Sequence, residues 1–269
     1  MAPAVDGKLT GLLAATFTPF TAPLISIYSL DYPLCVNKTC LVSFPVNGTT
    51  GESMSLSVAE RKVLAEEWCL RLCFRPQARH AVEIGADGIA VISPSFFKPK
   101  TAEALRQFLQ EVARAAPSLP FYYYQIPSFT GVNENIEELI PSFRGVKFSG
   151  SDLLDFGQCV SYSQPHWSVL YGVDEQLLAA LAMGANGAVG STYNYMGCYV
   201  NQLISAFETG DLVKARTIQF KIQEVLGFDV GVNKQLMTEV SGLFLGPPRL
   251  PVMPCPPAHA QLTGLSSVS

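Results

Sequence analysis

A glycine-containing turn that leads straight into a buried apolar run occurs twice, and this repeat restricts the possible folds more than any other feature. Gly85-Ala86-Asp87-Gly88 precedes the run Ile89 to Ile92, and Gly184-Ala185-Asn186-Gly187 precedes a run that ends at Gly190. Each copy has the pattern of a helix end, a tight turn and a strand that is apolar on both faces, as in parallel sheets. The repeat predicts the α/β class, and units of about 31 residues suit a (β/α)₈ TIM barrel.

The composition favours a folded protein with a large core. Hydrophobic residues make up 48% of the chain and charged residues 15%, which argues against disorder over most of its length. Charged residues, glycine or proline interrupt every apolar run before the ~20 residues of a membrane span, so we expect a soluble protein with no membrane partner. A net charge of −4 and the lack of a Lys/Arg cluster argue against a nucleic-acid partner. The first ten residues resemble neither a signal nor a transit peptide, so the expected location is cytoplasmic.

The cysteines and histidines give almost no support for a metal site. The seven cysteines form no CxxC pair, and their odd number suits free thiols in a reducing compartment. The three histidines, His80, His166 and His259, are widely separated and form no HExxH motif. We therefore expect no metal ion.

Capping and amphipathic patterns predict the helices. Ser57 and Glu60 form a capping-box pattern that opens a helix to about Leu70. A second helix spans Thr101 to Ala116. Its predicted inward positions are Ala104, Leu105, Phe108, Leu109 and Val112. Further helices are predicted from Gln77 to Ile84, Asn135 to Ile140, Asp152 to Val160, Glu175 to Met183, Asn201 to Thr209, Leu212 to Leu226 and Asn233 to Ser241.

Two segments do not fit a regular alternation of strands and helices. Thr21 to Lys38 has neither a helical stripe nor a capping box where the first helix should follow a strand. Between Cys73 and Gln77 the third strand has almost no room, so the barrel is predicted to be incomplete unless Leu70 to Phe74 substitutes for that strand. A barrel that closes badly, a splice form and a faulty gene model remain alternatives.

One lysine lies within an apolar run that has the pattern of a buried strand. Lys147 follows Gly145-Val146 and precedes Phe148. Apolar surroundings disfavour an ammonium ion, and this is the usual way in which a lysine becomes a Schiff-base nucleophile. The alternative is a lysine whose side chain extends from the strand end into water. The Schiff-base interpretation is favoured because other polar motifs also follow strand-like runs, and barrel active sites lie at the carboxyl ends of strands.

Five motifs together carry a resemblance to a known family. They are Asn47-Gly48-Thr49-Thr50-Gly51-Glu52, Tyr122-Tyr123-Tyr124-Gln125-Ile126-Pro127, Gly145-Val146-Lys147-Phe148-Ser149, Gly172-Val173-Asp174-Glu175-Gln176 and Gly190-Ser191-Thr192-Tyr193-Asn194. With these motifs in order between Gly11 and Gly246, the chain resembles the class I aldolases of the N-acetylneuraminate lyase and dihydrodipicolinate synthase family. No domain boundary is visible within this span. We therefore predict an aldolase-type barrel domain over residues 1–246, with C-terminal helices, and a Pro-rich, disordered tail over 247–269.

The resemblance implies a carbon–carbon lyase that cleaves sialic acid to N-acetylmannosamine and pyruvate. Lys147 would form a Schiff base with the substrate ketone, and Tyr124 would transfer the proton of the C4 hydroxyl. Strand alternation places Tyr122 and Tyr124 on one face and Tyr123 on the other, so Tyr123 is predicted to lie in the core. The iminium would replace a Lewis acid, so no cofactor is expected.

The resemblance also implies a set of substrate-binding residues. Thr49 and Thr50 would bind the substrate carboxylate, although the same loop could be an ordinary turn between strand and helix. Asp174 and Glu175 would accept hydrogen bonds from the sugar hydroxyls, although acidic residues are common at helix N-termini in any case. The remaining implied binding positions are Ser149, Gly172 and Ser191.

Alternative functions stay open at this point. Another pyruvate-dependent Schiff-base aldolase of the family would use the same lysine with a different aldehyde. A truncated, non-catalytic relative is the alternative that the missing third strand favours. Family members assemble as homotetramers, so the resemblance implies a homo-oligomer for this chain. The small-molecule partners would be sialic acid and pyruvate.

Overall fold

The computed structural model describes residues 8–20, 46–68, 71–72, 75–134, 140–224 and 229–255. Within these ranges the strands are β1 (Gly11–Ala14), β2 (Arg71–Leu72), β3 (Ile89–Ile92), β4 (Phe121–Gln125), β5 (Phe143–Phe148), β6 (Ser168–Tyr171) and β7 (Gly187–Gly190). The α-helices are α1 (Val58–Trp68), α2 (Arg75–Glu83), α3 (Ala102–Ala113), α4 (Pro127–Thr130), α5 (Leu153–Ser161), α6 (Leu177–Ala182), α7 (Tyr193–Glu208), α8 (Leu212–Glu224) and α9 (Val230–Ser241). Two 3₁₀ helices span Ser53–Ser55 and Asp174–Gln176.

The strands of these ranges form one sheet in the order β1-β7-β6-β5-β4-β3-β2. Neighbouring strands from β2 to β7 pair in parallel. From β2 to β7 a helix separates each strand from the next along the chain. Parallel strands joined by helices confirm the predicted α/β class.

The segment that was a candidate substitute for the third strand pairs with β3. Arg71 pairs with Ile89 and Leu72 pairs with Ala90, so the segment does supply a short strand beside β3. Helix α2 begins three residues after β2, at Arg75. Residues 41–45, which come before the Asn47 motif, lie outside the described residues. So do Thr21 to Lys38 and residues 135–139 of the predicted short helix.

The predicted capping box is confirmed. The Ser57 backbone N–H donates to Glu60 Oε2 at 2.8 Å, and the Glu60 N–H donates to Ser57 Oγ at 3.2 Å, so the capping box opens α1. Thr101 caps α3 by accepting from the Ala104 N–H. Leu105, Leu109 and Val112 are buried on α3 as predicted. The prediction for Ala104 is wrong, because Ala104 is exposed next to this stripe in the first helical turn.

Two helix boundaries differ from the sequence prediction. Helix α7 starts at Tyr193, eight residues before the predicted Asn201, and its first five residues are all buried. A helix that is buried on several sides has no polar face, so the 3.6-residue period is lost there. Where one helix is predicted from Glu175 to Met183, the structure has the 3₁₀ helix Asp174–Gln176 followed by α6. None of the described helices is both long and apolar enough to cross a membrane.

The chain divides into two compact units. Unit 1 takes the described residues within 1–11, 68–173 and 179–188, and unit 2 takes those within 12–67, 174–178 and 189–255. In unit 1, apolar side chains of β3 to β6 pack with helices α3, α5 and α6. The members of this helix-facing core include Val91, Leu105, Leu109, Tyr123, Val146, Phe148, Phe156, Val169 and Tyr171. In unit 2, the buried positions of α7, α8 and α9 include Val200, Leu203, Ile218, Ile222, Leu236 and Met237.

The first part of the predicted tail makes defined contacts within unit 2. Residues 247–255 contain no helix or strand. The Pro247 carbonyl nevertheless accepts a hydrogen bond from Lys234 Nζ, and the Arg249 backbone N–H donates to Glu52 Oε2 at 2.7 Å. Residues 256–269 lie outside the described residues. The predicted domain boundary at residue 246 stays a prediction.

Candidate active site

Lys147 and Tyr124 lie side by side in unit 1. Strands β4 and β5 are neighbours, and Tyr124 is the register partner of Lys147. Lys147 Nζ lies 4.0 Å from the centroid of the Tyr124 ring. Tyr124 is buried, whereas Lys147 is half-buried. This arrangement brings an amine and a phenol close enough to act on one small molecule.

A β-bulge in β5 determines the side of the sheet from which Lys147 projects. Phe121 pairs with Phe143, but Tyr122 pairs with Gly145, so Arg144 is an extra residue in β5. Phe143 belongs to the helix-facing core, and strict alternation would place residue 147 there as well. The extra residue reverses the alternation, so that the neighbours of Lys147 face the core and Lys147 faces the opposite side.

Gly145 is the residue that permits this bulge. Its φ of 149° is one that residues with a side chain rarely adopt. A Cβ atom at this position would overlap the backbone of Ser168 on β6. Close approach of β5 to β6 therefore requires glycine.

We expect Gly145→Ala to lower the free energy of unfolding by about 2–4 kcal/mol, from the unfavourable φ together with the overlap. Strand β5 would move away from β6, so formation of a Schiff base by Lys147 should also fail. Urea denaturation and borohydride trapping with pyruvate measure the two effects.

Gly85→Ala is the matched control for this variant, because Gly85 has a φ of 70° but no atom within 4 Å of an added Cβ. It should cost only about 1–2 kcal/mol and leave trapping intact. Equal losses in the two variants would show that the contact with β6 has no special role.

The three consecutive tyrosines of β4 alternate as predicted. Tyr123 is fully buried in the helix-facing core, and this burial raises its pKa. Tyr122 is also buried, and burial raises its pKa despite a hydrogen bond from Ser168. Tyr123 is therefore a core residue, and the prediction that separated it from Tyr124 is confirmed.

Ser149 and Gly172 meet at the ends of β5 and β6. The Gly172 N–H donates to the Phe148 carbonyl at 2.7 Å. A Cβ atom on Gly172 would overlap Ser149 Oγ, so glycine is needed for these two segments to lie this close together. Ser149 is buried, and its hydroxyl has no hydrogen-bond partner among the described residues. A buried hydroxyl of this kind is suited to bind a ligand.

The loop Asn47 to Glu52 in unit 2 is held in a fixed conformation. Asn47 and Glu52 both have positive φ, at 57° and 54°. Thr18 Oγ1 donates to the Gly51 carbonyl at 2.6 Å, and the Glu52 N–H donates to the Thr49 carbonyl at 3.0 Å. Thr50 is buried. The two threonines that the resemblance implies for carboxylate binding therefore lie in an ordered loop.

A buried ion pair anchors Glu52, the last residue of this loop. Lys234 Nζ lies 3.0 Å from Glu52 Oε1, and both side chains are 2% exposed. The ammonium also donates to the carbonyls of Thr18 and Pro247, at 2.8 and 3.4 Å, and lies 4.3 Å from the Phe20 ring centroid. Three acceptors match the three donors of an ammonium. Burial lowers the pKa of Lys234, and the Glu52 carboxylate opposes that shift.

Arg249 continues the network to the surface of unit 2. Its guanidinium donates to both carboxylate oxygens of Glu60, at 3.0 and 2.6 Å, and to the Ser55 carbonyl. The Arg249 hydrogen bond, together with the Ser57 backbone N–H, lowers the pKa of Glu60 to about 2. The capping box of α1 is thus joined to the segment after residue 247.

The Asp174 carboxylate is also held within unit 2. Asp174 is buried, and its Oδ2 accepts from the Thr192 N–H at 3.1 Å and from Thr192 Oγ1 at 2.6 Å. A Cβ atom on Gly190 would overlap this carboxylate. Glu175 is half-buried, and its carboxylate makes no hydrogen bond to another described residue. The two acidic residues therefore differ, because one is fixed and the other is open to a ligand.

Ser191 is buried beside a polar network of α7 and α9. Its hydroxyl donates to Asn233 Oδ1 at 3.4 Å, and the Tyr195 hydroxyl donates to the same oxygen at 2.7 Å. Burial and the charges of Asp174 and Glu175 raise the pKa of Tyr195 well above its ordinary value. Tyr195 therefore acts as a neutral hydrogen-bond donor that fixes the amide beside Ser191.

Sequence reasoning missed Asn233, Lys234 and Arg249. The first two belong to the helix that the sequence predicts from Asn233 to Ser241. They occupy buried positions of α9 on the same stripe as Val230 and Met237. A lysine and an asparagine on an apolar stripe indicate buried polar partners, and this signal was present in the sequence. No local pattern marks Arg249, since its partners lie 189 and 197 residues away.

Comparisons with known proteins agree with this description. The N-acetylneuraminate lyase of Danio rerio is 54% identical, and the alignment covers 94% of each chain. The N-acetylneuraminate lyase of Homo sapiens is 50% identical, and the alignment covers 91% of this chain and 87% of that one.

Solved structures extend the similarity to the fold. The N-acetylneuraminate lyase of Aliivibrio salmonicida has a TM-score of 0.86 at 33% identity and covers 95% of both chains. That of Proteus mirabilis has the same TM-score at 31% identity, covering 97% of this chain and 99% of that one. These neighbours are TIM-barrel enzymes, so the predicted fold class is confirmed. The Dihydrodipicolinate synthetase family matches residues 76–257. Together with the identity to the lyases, this match shows that the chain belongs to the dihydrodipicolinate synthetase family, in which the N-acetylneuraminate lyases are its relatives.

Proposed function

We propose that this protein is a carbon–carbon lyase that cleaves N-acetylneuraminate to N-acetylmannosamine and pyruvate through a Schiff base on Lys147. The observation that carries the proposal is the amine of Lys147 against the Tyr124 ring, at 4.0 Å. It occurs in a chain that is 54% identical to a protein named N-acetylneuraminate lyase over 94% of its length.

The chemistry of cleavage assigns a separate task to each of these two side chains. The neutral amine of Lys147 attacks the C2 ketone of the open-chain substrate, and loss of water gives an iminium. Tyr124 accepts the proton of the C4 hydroxyl while the electrons of the C3–C4 bond move into the iminium, so that N-acetylmannosamine leaves. The remaining enamine takes a proton at C3, and hydrolysis then releases pyruvate and the free lysine.

The same proposal gives roles to the binding residues. Thr49 and Thr50 would bind the carboxylate, and the ordered loop that carries them supports this role. The unpartnered hydroxyl of Ser149 and the open carboxylate of Glu175 are suited to substrate hydroxyls. The other proposed binding residues are Gly172, Asp174 and Ser191. No cofactor takes part in this scheme.

The wider setting is proposed from the family resemblance alone. We propose that the chain forms a homotetramer in the cytoplasm and serves sialic acid degradation, within amino-sugar and carbohydrate metabolism. Size-exclusion chromatography with light scattering would test the assembly directly.

Borohydride reduction in the presence of pyruvate tests the proposed function. We expect a stable adduct on Lys147, located by peptide mass spectrometry, because reduction traps the iminium. Tyr124→Phe should keep this adduct but lose most cleavage of N-acetylneuraminate, since proton transfer contributes about 10²–10⁴-fold. Absence of an adduct in folded wild-type protein would exclude the Schiff base. Equal or faster turnover of a different 2-keto acid would instead identify another aldolase of the family.

A non-catalytic relative is the second candidate, and it is favoured by the start of helix α2 only three residues after β2, which leaves little room for a longer strand. Such a chain would fold only partly, because a short strand leaves backbone groups of its neighbour without partners. A cooperative thermal transition in the purified chain, together with adduct formation, would exclude this candidate.

A further inference from the structure

Two glutamines of α8 hold the backbone of the acidic pair, and we infer that Gln219 and Gln223 position Asp174 and Glu175 for recognition of the hydroxylated end of the substrate. The inference rests on the proposed function and deepens it. It concerns residues of unit 2 only.

Gln219 spans the turn that begins at Asp174. Its Nε2 donates to the Asp174 carbonyl at 3.2 Å, and its Oε1 accepts from the Leu178 N–H at 2.8 Å. Leu178 lies in the first turn of α6, where backbone N–H groups have no partner within the helix. Gln219 itself is 4% exposed. One buried amide thus joins the first residue of the 3₁₀ helix Asp174–Gln176 to the first turn of α6.

Gln223 holds the next carbonyl of the same turn. It lies four residues after Gln219, so the two side chains share one face of α8. Its Nε2 donates to the Glu175 carbonyl at 2.7 Å, and its side chain is exposed. Two consecutive carbonyls are therefore held from one helix.

The two acidic side chains depend on this backbone to different degrees. The Asp174 carboxylate has a second anchor, because Thr192 donates to it twice. The Glu175 carboxylate makes no hydrogen bond to another described residue, so its direction follows from its own backbone. Removal of the glutamine amides should therefore disturb Glu175 more than Asp174.

Kinetics of the condensation of pyruvate with N-acetylmannosamine separate positioning from folding. Gln223→Ala should raise the KM for N-acetylmannosamine about fivefold to tenfold, the effect of one lost hydrogen bond, and leave the KM for pyruvate unchanged. Gln219→Met, which keeps the length of the side chain but removes the amide, should have the same effect or a larger one. Gln219→Glu keeps the acceptor for the Leu178 N–H but loses the donor to the Asp174 carbonyl. Its KM for N-acetylmannosamine should therefore be raised as well.

Gln235→Ala is the matched control. Gln235 donates to Glu239 at 3.0 Å on the exposed side of α9, and its loss should change neither KM. An unchanged KM for N-acetylmannosamine in Gln223→Ala, or equal changes for both substrates, would overturn the inference. Gln223→Ala carries the test if Gln219→Met fails to fold, because the Gln223 side chain is exposed. Failure to trap pyruvate in the wild-type protein would overturn the proposed function instead, and these outcomes are distinguishable.

Discussion

Replacement of Lys147 by methionine is expected to reduce cleavage of N-acetylneuraminate by more than about 10³-fold, because the variant lacks the amine that is proposed to form the iminium. Methionine keeps the length of the side chain but has no amine. The fold should persist, since Lys147 is half-buried and projects away from the helix-facing core. Steady-state turnover and borohydride trapping measure the chemical effect, and circular dichroism measures the fold.

Lys221→Met is the control for loss of a lysine as such. Lys221 pairs with Glu224 on the exposed face of α8, at 3.0 Å. Its replacement should leave turnover and trapping unchanged. A Lys147→Met protein that still formed a pyruvate adduct would show that another lysine is the nucleophile, and the assignment to Lys147 would be wrong.

The second large effect is expected at the buried ion pair. Lys234→Met should lower the free energy of unfolding by about 3–5 kcal/mol, because the Glu52 carboxylate would stay buried without its partner. This is a large fraction of a typical total of about 5–15 kcal/mol. Urea denaturation followed by fluorescence measures the loss.

Two further variants show whether the loss comes from the unpaired charge. The double variant Lys234→Met with Glu52→Gln should recover much of the stability, because it removes both charges from the interior. The exposed pair Lys221–Glu224 provides the comparison, and Lys221→Met should cost less than about 1 kcal/mol. A similar small cost for Lys234→Met, or no recovery in the double variant, would mean that the buried pair contributes little.

Several features were predictable because their causes lie close together in the sequence. The capping box of Ser57 and Glu60 joins residues three positions apart. The repeated turns at Gly85 to Gly88 and at Gly184 to Gly187 also have a local origin. In each, glycine ends the helix and the short apolar run that follows forms the strand. The candidate nucleophile could also be identified from the sequence, because a charged residue within an apolar run is easy to recognise.

Other features depend on contacts between distant residues. The bulge at Arg144 reverses the alternation of β5, and only the register with β4 and the closeness of β6 reveal it. A sequence that alternates perfectly and a sequence with one extra residue have the same local composition. The face from which Lys147 projects was therefore a consequence of strand pairing.

The buried network of Lys234 is the clearest case of this difference. Its partner Glu52 is 182 residues away, and neither residue has a local signal that identifies the other. A buried charge is tolerated only where its hydrogen bonds are satisfied, and that condition can be met only after the chain has folded. The candidate residues for the proposed chemistry could therefore be chosen from the sequence and its resemblance to a family, whereas the buried ion pair that fixes the loop of Thr49 and Thr50 depends on the tertiary structure.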